Sequence, residues 1–297
     1  METTRTEACG SDLLGSTTAL LQRVRSEDAV HGVWEVADLQ WWWRRARPTD
    51  AWDMPIWVDD AGPVAAVVAT DWEHAVAIDA FVLPSRGDLL PEVWEAAMAV
   101  LENHHDATFE VMVDDRDGDS VARLEAAGFH PLPETGVSAW VDAGDLRRLD
   151  AELPAGYRIT SRATLRESMP HHFSATNGAN VEARLQETSL YRDELDLVVV
   201  TDTDDVAAYA LFWIDPATGV GFVEPVGTVE GHRRRGLARA LLGAGLVALV
   251  DTGATRLKVN YNDANAAAKR LYLRVGFEPT MWTSLWVRRP ARATSYR

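Results

Sequence analysis

The chain has 297 residues, of which 47% are hydrophobic and 25% charged, a composition that suits one or two globular domains. It has no apolar run of the roughly 18 residues that a membrane span needs, and residues 1–16 have no apolar signal core. The single cysteine, Cys9, excludes an internal disulfide and a thiolate zinc site, so the composition predicts a cytoplasmic protein without a metal.

The net charge of −16 is divided unevenly along the chain. Residues 1–150 contain 11 Arg, no Lys and 29 acidic residues, which gives −18, and the remaining residues carry +2. An acidic surface repels polyanions, so the first half is not expected to bind nucleic acid. It would weakly favour a cationic amine through electrostatic steering, although acidity for solubility alone explains much of this charge.

The first half alternates between apolar patterns of helical and of strand period. Helices are predicted over Ser11–Arg25, Glu35–Arg47, Pro91–Asn103 and Ser120–Ala127, and strands over Pro55–Val58, Val64–Ala69, Ala75–Leu83, Thr108–Val113 and after Gly128-Phe129.

The second half repeats this order of elements. A strand at Gly156–Thr160 precedes helices within Thr164–Thr176 and Val181–Leu190; strands follow at Leu197–Thr201, Val206–Ile214 and Gly221–Val229, then a helix at Arg234–Val250, a strand at Arg256–Asn260, a helix at Ala264–Val275 and a strand after Gly276-Phe277.

The two halves share a short motif at the same place in the order of elements, which indicates a tandem repeat of one fold. Leu124-Glu-Ala-Ala-Gly-Phe129 resembles Leu273-Arg-Val-Gly-Phe277, each ending a helix and beginning a strand. The polar stretch 142–155 between them is the predicted seam. We therefore predict one domain over residues 1–148 and a second over residues 149–297.

The strongest chemical signal is the stretch Val226-Gly-Thr-Val-Glu-Gly-His-Arg-Arg-Arg-Gly-Leu-Ala-Arg-Ala-Leu-Leu242. An apolar strand runs into a basic, glycine-containing turn that opens a long helix. Helix N-termini carry backbone N–H groups without partners and a partial positive charge, which together bind phosphates. Gly236 would let the backbone approach phosphate oxygens closely. A solvated basic helix start is the simpler alternative.

Two motifs in the second half resemble the signatures of the GNAT (N-acetyltransferase) superfamily. Arg233-x-x-Gly236-x-Ala238 is similar to the family's phosphate loop. Asn265-Ala-Ala-Ala-Lys-Arg-Leu-Tyr-Leu-Arg-Val-Gly-Phe277 resembles its second signature, Asn-x-x-Ala-x-x-Leu-Tyr-x-x-x-Gly-Phe, and one long helix and one strand separate the two motifs. The resemblance covers nearly all of residues 157–297. It implies an α/β fold of two tandem GNAT-like domains, each with a mixed, mostly antiparallel central sheet flanked by helices.

The resemblance also implies a binding site for acetyl-CoA, the acetyl donor. The strand before the loop would be splayed, and Pro225, which lacks an N–H, fits a bulge there. The residues expected to contact the pantetheine arm or the phosphates of the donor are Val226, Gly227, Thr228, Val229, Arg233, Arg234, Arg235, Gly236, Leu237, Ala238, Arg239, Asn265 and Tyr272. Asn265 could equally be a helix cap, and both roles are compatible.

Two residues are candidates for proton transfer. In the family, a tyrosine at the position of Tyr272 protonates the departing CoA thiolate, and a phenol keeps its proton at neutral pH; a core aromatic is the alternative. Glu224, on the strand leading into the loop, is the first candidate for the base that takes the proton of the attacking amine, against a structural pairing with an arginine. His171 and His172, in the region that lines the acceptor pocket in the family, are lesser candidates.

The first half departs from both signatures. Arg86-Gly87 lacks the spacing of the phosphate loop, Asp88 and Glu92 place negative charge there, and neither the asparagine nor the tyrosine precedes Gly128-Phe129. The first domain is therefore predicted to be a degenerate copy. Trp41-Trp-Trp43 is interpreted as core packing, with an aromatic pocket wall as the alternative.

These features predict an N-acetyltransferase that moves an acetyl group from acetyl-CoA to a small-molecule amine by direct attack in a ternary complex. Two alternatives stay open at this point. One is a sensor that binds acyl-CoA without turnover, and the other is a scaffold that docks a partner protein through an exposed Trp41–Trp43 patch. The acceptor, the acyl chain length and the oligomeric state do not follow from the sequence.

Overall fold

A computed structural model describes residues 3–30, 32–104, 106–147, 149 and 152–290. Its strands are β1 (Thr4–Ala8), β2 (Met54–Asp59), β3 (Gly62–Asp71), β4 (Val76–Val82), β5 (Phe109–Asp114), β6 (His130–Asp142), β7 (Tyr157–Ser161), β8 (Asp196–Thr201), β9 (Val206–Asp215), β10 (Val220–Thr228), β11 (Arg256–Asn262) and β12 (Glu278–Arg288). Its α-helices are α1 (Gly10–Glu27), α2 (Val36–Trp42), α3 (Leu90–Asn103), α4 (Gly118–Ala126), α5 (Arg162–Leu165), α6 (Ser174–Asn177), α7 (Val181–Gln186), α8 (Leu237–Asp251) and α9 (Ala266–Val275).

The predicted α/β order of elements and the mostly antiparallel sheets are confirmed, and most predicted bounds agree within a few residues. Strand β1 was not predicted, because its residues are polar and four of the five are exposed. Helix α8 begins at Leu237, three residues later than predicted. No helix in the described ranges combines the length and the apolar character that crossing a bilayer requires.

The chain divides into two compact units that exchange segments of sequence. Unit 1 comprises residues 1–36, 47–136 and 281–297, and unit 2 comprises residues 37–46 and 137–280. The predicted boundary after residue 148 falls next to residues outside the described ranges, so the limits 1–148 and 149–297 stay a prediction. Relative to those limits, segments 37–46 and 137–148 group with the second unit and segment 281–297 with the first.

In unit 1, β1 to β5 follow one another across the sheet, and the end of β12 follows β5. Neighbours are antiparallel except β4 and β5, which are parallel at Val76↔Phe109 and Ala77↔Glu110. The last strand is antiparallel to β5 from Thr283 to Arg288. Helices α1 and α3 pack on β3 and β4. This core is apolar on the facing sides, with Leu20, Val64, Ile78, Val93 and Leu101 fully buried.

In unit 2, the strands lie in the order β6, β11, β10, β9, β8, β7. Strands β10 and β11 are parallel, and β10–β9, β9–β8 and β8–β7 are antiparallel. Helix α8 packs on β9 and β10. It approaches closely because Gly245 carries no side chain: a Cβ there would lie 1.9 Å from the ring of Phe212. The apolar strands are buried on both faces, as is typical of a sheet covered by helices.

Candidate functional site

Strand β10 separates from its parallel neighbour midway along its length. In the described structure its pairing with β11 runs from Val220↔Arg256 to Phe222↔Lys258, whereas its pairing with β9 continues to Thr228↔Ala208. The β9 register shifts between Val223 and Val226, where Pro225 cannot donate to the ladder. The second half of β10 is therefore held by β9 on one side and opens a gap on the side of β11.

Glu224 lies in this bulge, and its backbone is fixed. The indole Nε1 of Trp213 donates to the Glu224 carbonyl oxygen at 2.8 Å, while the Glu224 side chain is half-buried. Burial raises the pKa of the carboxyl to about 7, and the positive charge of Arg44 acts in the opposite direction. A carboxyl with a pKa near neutrality can both accept and release a proton under ordinary conditions.

Tyr272 lies on α9 with its ring buried between Tyr261 and Phe277, whose ring centroids are 5.7 and 5.8 Å away. Burial raises the pKa of its phenol well above the ordinary value, and the negative charge of Glu224 raises it further. Glu224 and Tyr272 are therefore close enough to act on each other electrostatically. The phenol keeps its proton at neutral pH, so it can donate that proton.

The loop after β10 owes its shape to two residues in the left-handed region. A short 3₁₀ turn covers Glu230–His232, and then Arg234 has φ of 64° and Gly236 has φ of 81°. Glycine adopts this conformation without steric cost, and arginine does so rarely. The chain consequently turns sharply before α8, which moves the start of that helix from the predicted Arg234 to Leu237.

The first amides of α8 have no side-chain cap. Gly236 is the residue before the helix and has no side chain with which to cap it. The first hydrogen bond within the helix runs from the Ala240 amide to the Gly236 carbonyl, at 3.0 Å. The amides of Leu237, Ala238 and Arg239 come earlier and have no acceptor within the helix. The Leu237 side chain is buried in the core, so only the backbone of this residue belongs to the site.

Four arginines surround these amides. Arg233, Arg234 and Arg235 are exposed, and Arg239 is half-buried in the first turn of α8. The guanidinium of Arg235 lies 5.9 Å from the centroid of the Tyr157 ring, and Arg233 Nε donates to the Thr228 carbonyl at 3.5 Å. Open amides, a helix N-terminus and several guanidinium groups together form a site suited to a polyphosphate anion.

The end of β10 presents alternate amides to the gap. The Val229 amide donates to the Ala207 carbonyl on β9 at 2.9 Å. Successive residues of a strand direct their N–H groups to opposite sides. Gly227 therefore also faces β9, and the amides of Val226 and Thr228 face the gap. Gly227 is needed for packing, because a Cβ there would lie 2.3 Å from the Tyr209 ring.

Asn265 is the N-terminal cap of α9. Its side-chain oxygen accepts a hydrogen bond from the Ala268 amide at 3.1 Å, and the residue is exposed. The capping role that the sequence allowed is thus present. A role for Asn265 in donor binding stays a prediction.

His171 and His172 belong to a buried network with Asp196 and Tyr191. The Phe173 amide donates to His171 Nδ1 at 3.2 Å, so the neutral ring carries its proton on Nε2 and donates to Asp196 Oδ2 at 3.0 Å. The Tyr191 hydroxyl donates to the same oxygen at 2.9 Å. Burial lowers the pKa of His172 to about 4.

The donor atoms of His171, His172 and Asp196 lie within 4.8 Å of one another, close enough to be considered as metal ligands. A metal on His171 Nε2 would have to replace the proton that bonds Asp196, while Nδ1 already accepts an amide hydrogen. The hydrogen-bond network accounts for His171 and for Asp196 Oδ2, whereas His172 Nε2 and Asp196 Oδ1 lie 3.3 Å apart and neither has a hydrogen-bond partner in the described part of the chain. The sequence pointed to the two histidines, whereas Asp196 begins an apolar strand and carried no motif that would have revealed it.

Segment 37–46 contributes to unit 2 at the side of α6 and α7. Trp41 is buried and meets the Phe173 ring edge-on at 5.0 Å. Trp42 is also buried, and half-buried Trp43 lies under the guanidinium of Arg184 at 3.5 Å. The three tryptophans therefore do not form an exposed patch, and the scaffold alternative that depended on such a patch is wrong.

The loop of unit 1 that corresponds to the arginine loop is already closed by a carboxylate. Glu27 accepts hydrogen bonds from the Ser85 amide at 2.9 Å and from the Ser85 hydroxyl at 2.7 Å. Arg86 bonds Asp88 and the Thr3 hydroxyl. The Glu27 carboxylate thus already accepts the hydrogen bond from a loop amide that would otherwise bind an external anion.

Comparisons with known proteins agree with this architecture. Residues 162–277 match the model of the acetyltransferase (GNAT) family. A tandem GNAT protein from the clavulanic acid biosynthesis pathway superposes with a TM-score of 0.68 at 17% identity, over 98% of this chain and 100% of the other. A GCN5-related N-acetyltransferase from Sphaerobacter thermophilus gives 0.62 at 16% identity, over 96% and 95% of the two chains. A search of curated proteins gave no match.

The splayed strand, the arginine loop and these similarities define the class of protein. Residues 162–277 are similar to the acetyltransferase (GNAT) family. The chain as a whole has the tandem GNAT fold, as the sequence motifs predicted.

Proposed function

We propose that unit 2 transfers an acetyl group from acetyl-CoA to a small-molecule amine in a ternary complex. The observation that carries the proposal is the gap that opens where β10 leaves β11. Glu224, a proton acceptor, lies at this point of β10, and its charge acts on Tyr272, a proton donor.

The residues of the splay and the loop would hold the donor. The amides of Leu237, Ala238 and Arg239, with the neighbouring arginines, would bind its pyrophosphate. The amides of Val226 and Thr228 would bond the pantetheine arm and the thioester oxygen, which becomes more negative as the amine attacks.

Glu224 would take the proton of the attacking amine, directly or through water, as the new C–N bond forms. Tyr272 would give its proton to the sulfur as the C–S bond breaks. The amine must be neutral to attack, so an ammonium ion first loses one proton to solvent. The Glu224 carboxylate, with a pKa of about 7, then takes the second proton from the nitrogen near physiological pH.

A sensor that binds acyl-CoA without turnover is the second candidate. It would use the same loop and strand, but it would not need Glu224 or Tyr272. The electrostatic action of Glu224 on the buried phenol of Tyr272 favours the enzyme, because a sensor would not need a proton acceptor and a proton donor within reach of each other.

Two measurements on the full-length chain separate these candidates. Calorimetric titration with acetyl-CoA should give one site per chain, and release of free thiol should follow when a panel of amines is added. Binding without thiol release from any amine would support the sensor, and absence of binding would overturn both.

The pH dependence of kcat/KM tests Glu224. The ionised carboxylate is the base, so kcat/KM should rise as the pH increases through about 7 and then level off. Glu224→Gln should lower kcat/KM by about 100-fold and abolish this rise. A variant that keeps the rise would show that another group is the base.

A further inference from the structure

Unit 2 contains residues 37–46, a segment distant in sequence from the rest of that unit. The segment is joined to its surroundings by specific bonds and not by apolar contact alone. Gln40 Oε1 accepts from the Leu190 amide and Gln40 Nε2 donates to the Ser189 hydroxyl, both at 2.8 Å. The Trp43 indole donates to Glu187 at 2.9 Å.

A chain of aromatic rings connects this segment to the strand of the candidate site. Trp41 meets Phe173 edge-on at 5.0 Å, and Phe173 meets Tyr209 edge-on at 5.1 Å. The Tyr209 ring lies against Gly227 of β10, so closely that a Cβ would not fit between them. Segment 37–46 is therefore packed, through two rings, against the part of β10 that follows Glu224.

Arg44 is the charged residue that this packing places toward Glu224. Its guanidinium lies over the Trp41 ring at 4.0 Å. Its Nε donates to Asn177 Oδ1 at 2.7 Å, and its Nη1 donates to the Trp41 carbonyl at 2.9 Å. The side chain is half-buried, and its charge acts on the Glu224 carboxyl. Stacking and two hydrogen bonds thus fix the guanidinium of Arg44, whose positive charge lies within electrostatic reach of the group proposed to deprotonate the acceptor.

We propose that Arg44 determines acceptor specificity and selects amines that also carry a carboxylate or another acidic group. This inference rests on the proposed function. An amine that approaches Glu224 enters the field of Arg44, which attracts an acidic group on the same molecule and repels a second positive charge. A guanidinium presents planar N–H donors that match a carboxylate, and its pKa is too high for it to lose its charge.

The test compares acceptors that differ by one carboxylate. The pairs are L-phenylalanine with phenethylamine, L-tryptophan with tryptamine, L-lysine with cadaverine and L-ornithine with putrescine. Binding to the full-length chain is measured by calorimetry in the presence of CoA, and turnover is measured by thiol release from acetyl-CoA. We expect the wild-type protein to prefer the carboxylate-bearing member of a pair by about tenfold or more, since a charge pair near a protein surface contributes on that scale.

Variants of the protein assign the preference to Arg44. Arg44→Gln should remove it by raising KM for the carboxylate-bearing member about tenfold more than KM for its partner amine, while both members share any change in kcat that follows from the altered pKa of Glu224. Arg44→Lys should keep part of it. The matched control is Arg158→Gln, which removes the same charge from an exposed position on β7 where the arginine pairs with Asp204; it should leave the preference unchanged.

Two outcomes would overturn the inference. One is a wild-type protein that binds no carboxylate-bearing member better than its partner, which needs no variant and so does not depend on folding. The other is an equal loss for both members in Arg44→Gln, which would assign Arg44 a structural role. Failure of the proposed function looks different, because acetyl-CoA would then release no thiol with any amine tested.

Discussion

Both units place an acidic residue on the strand that leads into the loop, and a tryptophan indole donates a hydrogen bond to each of these residues. In unit 1, Trp34 Nε1 donates to the Asp79 side chain at 2.7 Å. In unit 2, Trp213 Nε1 donates to the Glu224 backbone carbonyl at 2.8 Å. Burial raises the pKa of each carboxyl to about 7. A tryptophan and an acidic residue are thus combined in two ways. The Trp34 indole bonds the carboxyl of Asp79, whereas the Trp213 indole bonds the backbone of Glu224 and leaves its carboxyl available.

The loops differ in the same manner. In unit 1 the Glu27 carboxylate bonds the Ser85 amide, whereas in unit 2 the amides at the start of α8 have no capping side chain. At the second signature, the Phe129 amide bonds the Leu124 carbonyl and the Phe277 amide bonds the Tyr272 carbonyl. Leu124 therefore stands where unit 2 has its tyrosine. Unit 1 keeps the backbone of the fold, but its Glu27 carboxylate bonds a loop amide and its Trp34 indole bonds the Asp79 carboxyl, two groups that a ligand would otherwise contact.

The largest effect should come from closing the loop of unit 2. Gly236→Asp adds a negative charge and a side chain at φ of +81°, so it should weaken acetyl-CoA binding by more than 100-fold in calorimetry. Gly87→Asp makes the same change in the corresponding loop of unit 1 and should leave binding unchanged. An effect of Gly87→Asp equal to that of Gly236→Asp would mean that the two loops do not differ as proposed.

Tyr272→Phe should lower kcat about 100-fold while the acetyl-CoA dissociation constant stays the same, because the ring remains and only the donated proton is lost. The control is Tyr261→Phe on β11, whose buried hydroxyl has no hydrogen-bond partner within the described ranges. Steady-state kinetics with thiol detection measures both. If Tyr272→Phe and the wild type turned over equally, Tyr272 would be a packing residue, as Leu124 is at the equivalent position of unit 1.

Asp79 should destabilise the protein at alkaline pH. Its folded-state pKa is raised by burial from 3.8 to about 7, so the stability present at low pH is lost progressively between about pH 4 and pH 7 and does not return above pH 7. Asp79→Asn keeps the acceptor for Trp34 and cannot ionise. It should therefore raise the free energy of unfolding by about 3 kcal/mol at pH 8 and have little effect at pH 4.

Urea unfolding at the two pH values checks this prediction. Glu224→Gln should change stability in the same direction but less, because the half-buried side chain of Glu224 is better screened by water. A destabilised Asp79→Asn at pH 8 would mean that the folded protein prefers the ionised form.

The smallest effect concerns the close contact on β10. In Gly227→Ala the added Cβ would overlap the Tyr209 ring, so the strand must shift, at a cost of about 2 kcal/mol in stability and about tenfold in acetyl-CoA affinity. Gly231→Ala, at an exposed position with nothing within 4 Å of the added atom, is the control. Thermal unfolding and calorimetry would measure the two effects.

Much of the fold could be predicted because its signals are local. Apolar periodicity located nearly all the strands and helices, and the spacing of Arg233, Gly236, Asn265 and Tyr272 indicated the family. The start of α8 was misplaced because Arg234 adopts a left-handed conformation that the residue type does not suggest. The contributions of Asp196 and Arg44 could not be predicted, since each depends on contacts across many residues of sequence.

The exchange of segments was also beyond local signals. The pairing of Trp286 with Val111 joins positions 175 residues apart, and the sequence of neither strand indicates which strand it pairs with. In each repeat the last strand follows a Gly-Phe pair. The order of the sequence alone therefore suggested that each last strand would complete the sheet of its own domain.

This exchange has a consequence for synthesis on the ribosome. Strand β5 lacks its outer neighbour until residues 283–288 have been translated, long after residue 136 has emerged. At typical rates of translation this interval lasts roughly 8 to 30 s. During that time the nascent unit 1 exposes an unpaired sheet edge, which is a site for misassembly and for chaperone binding.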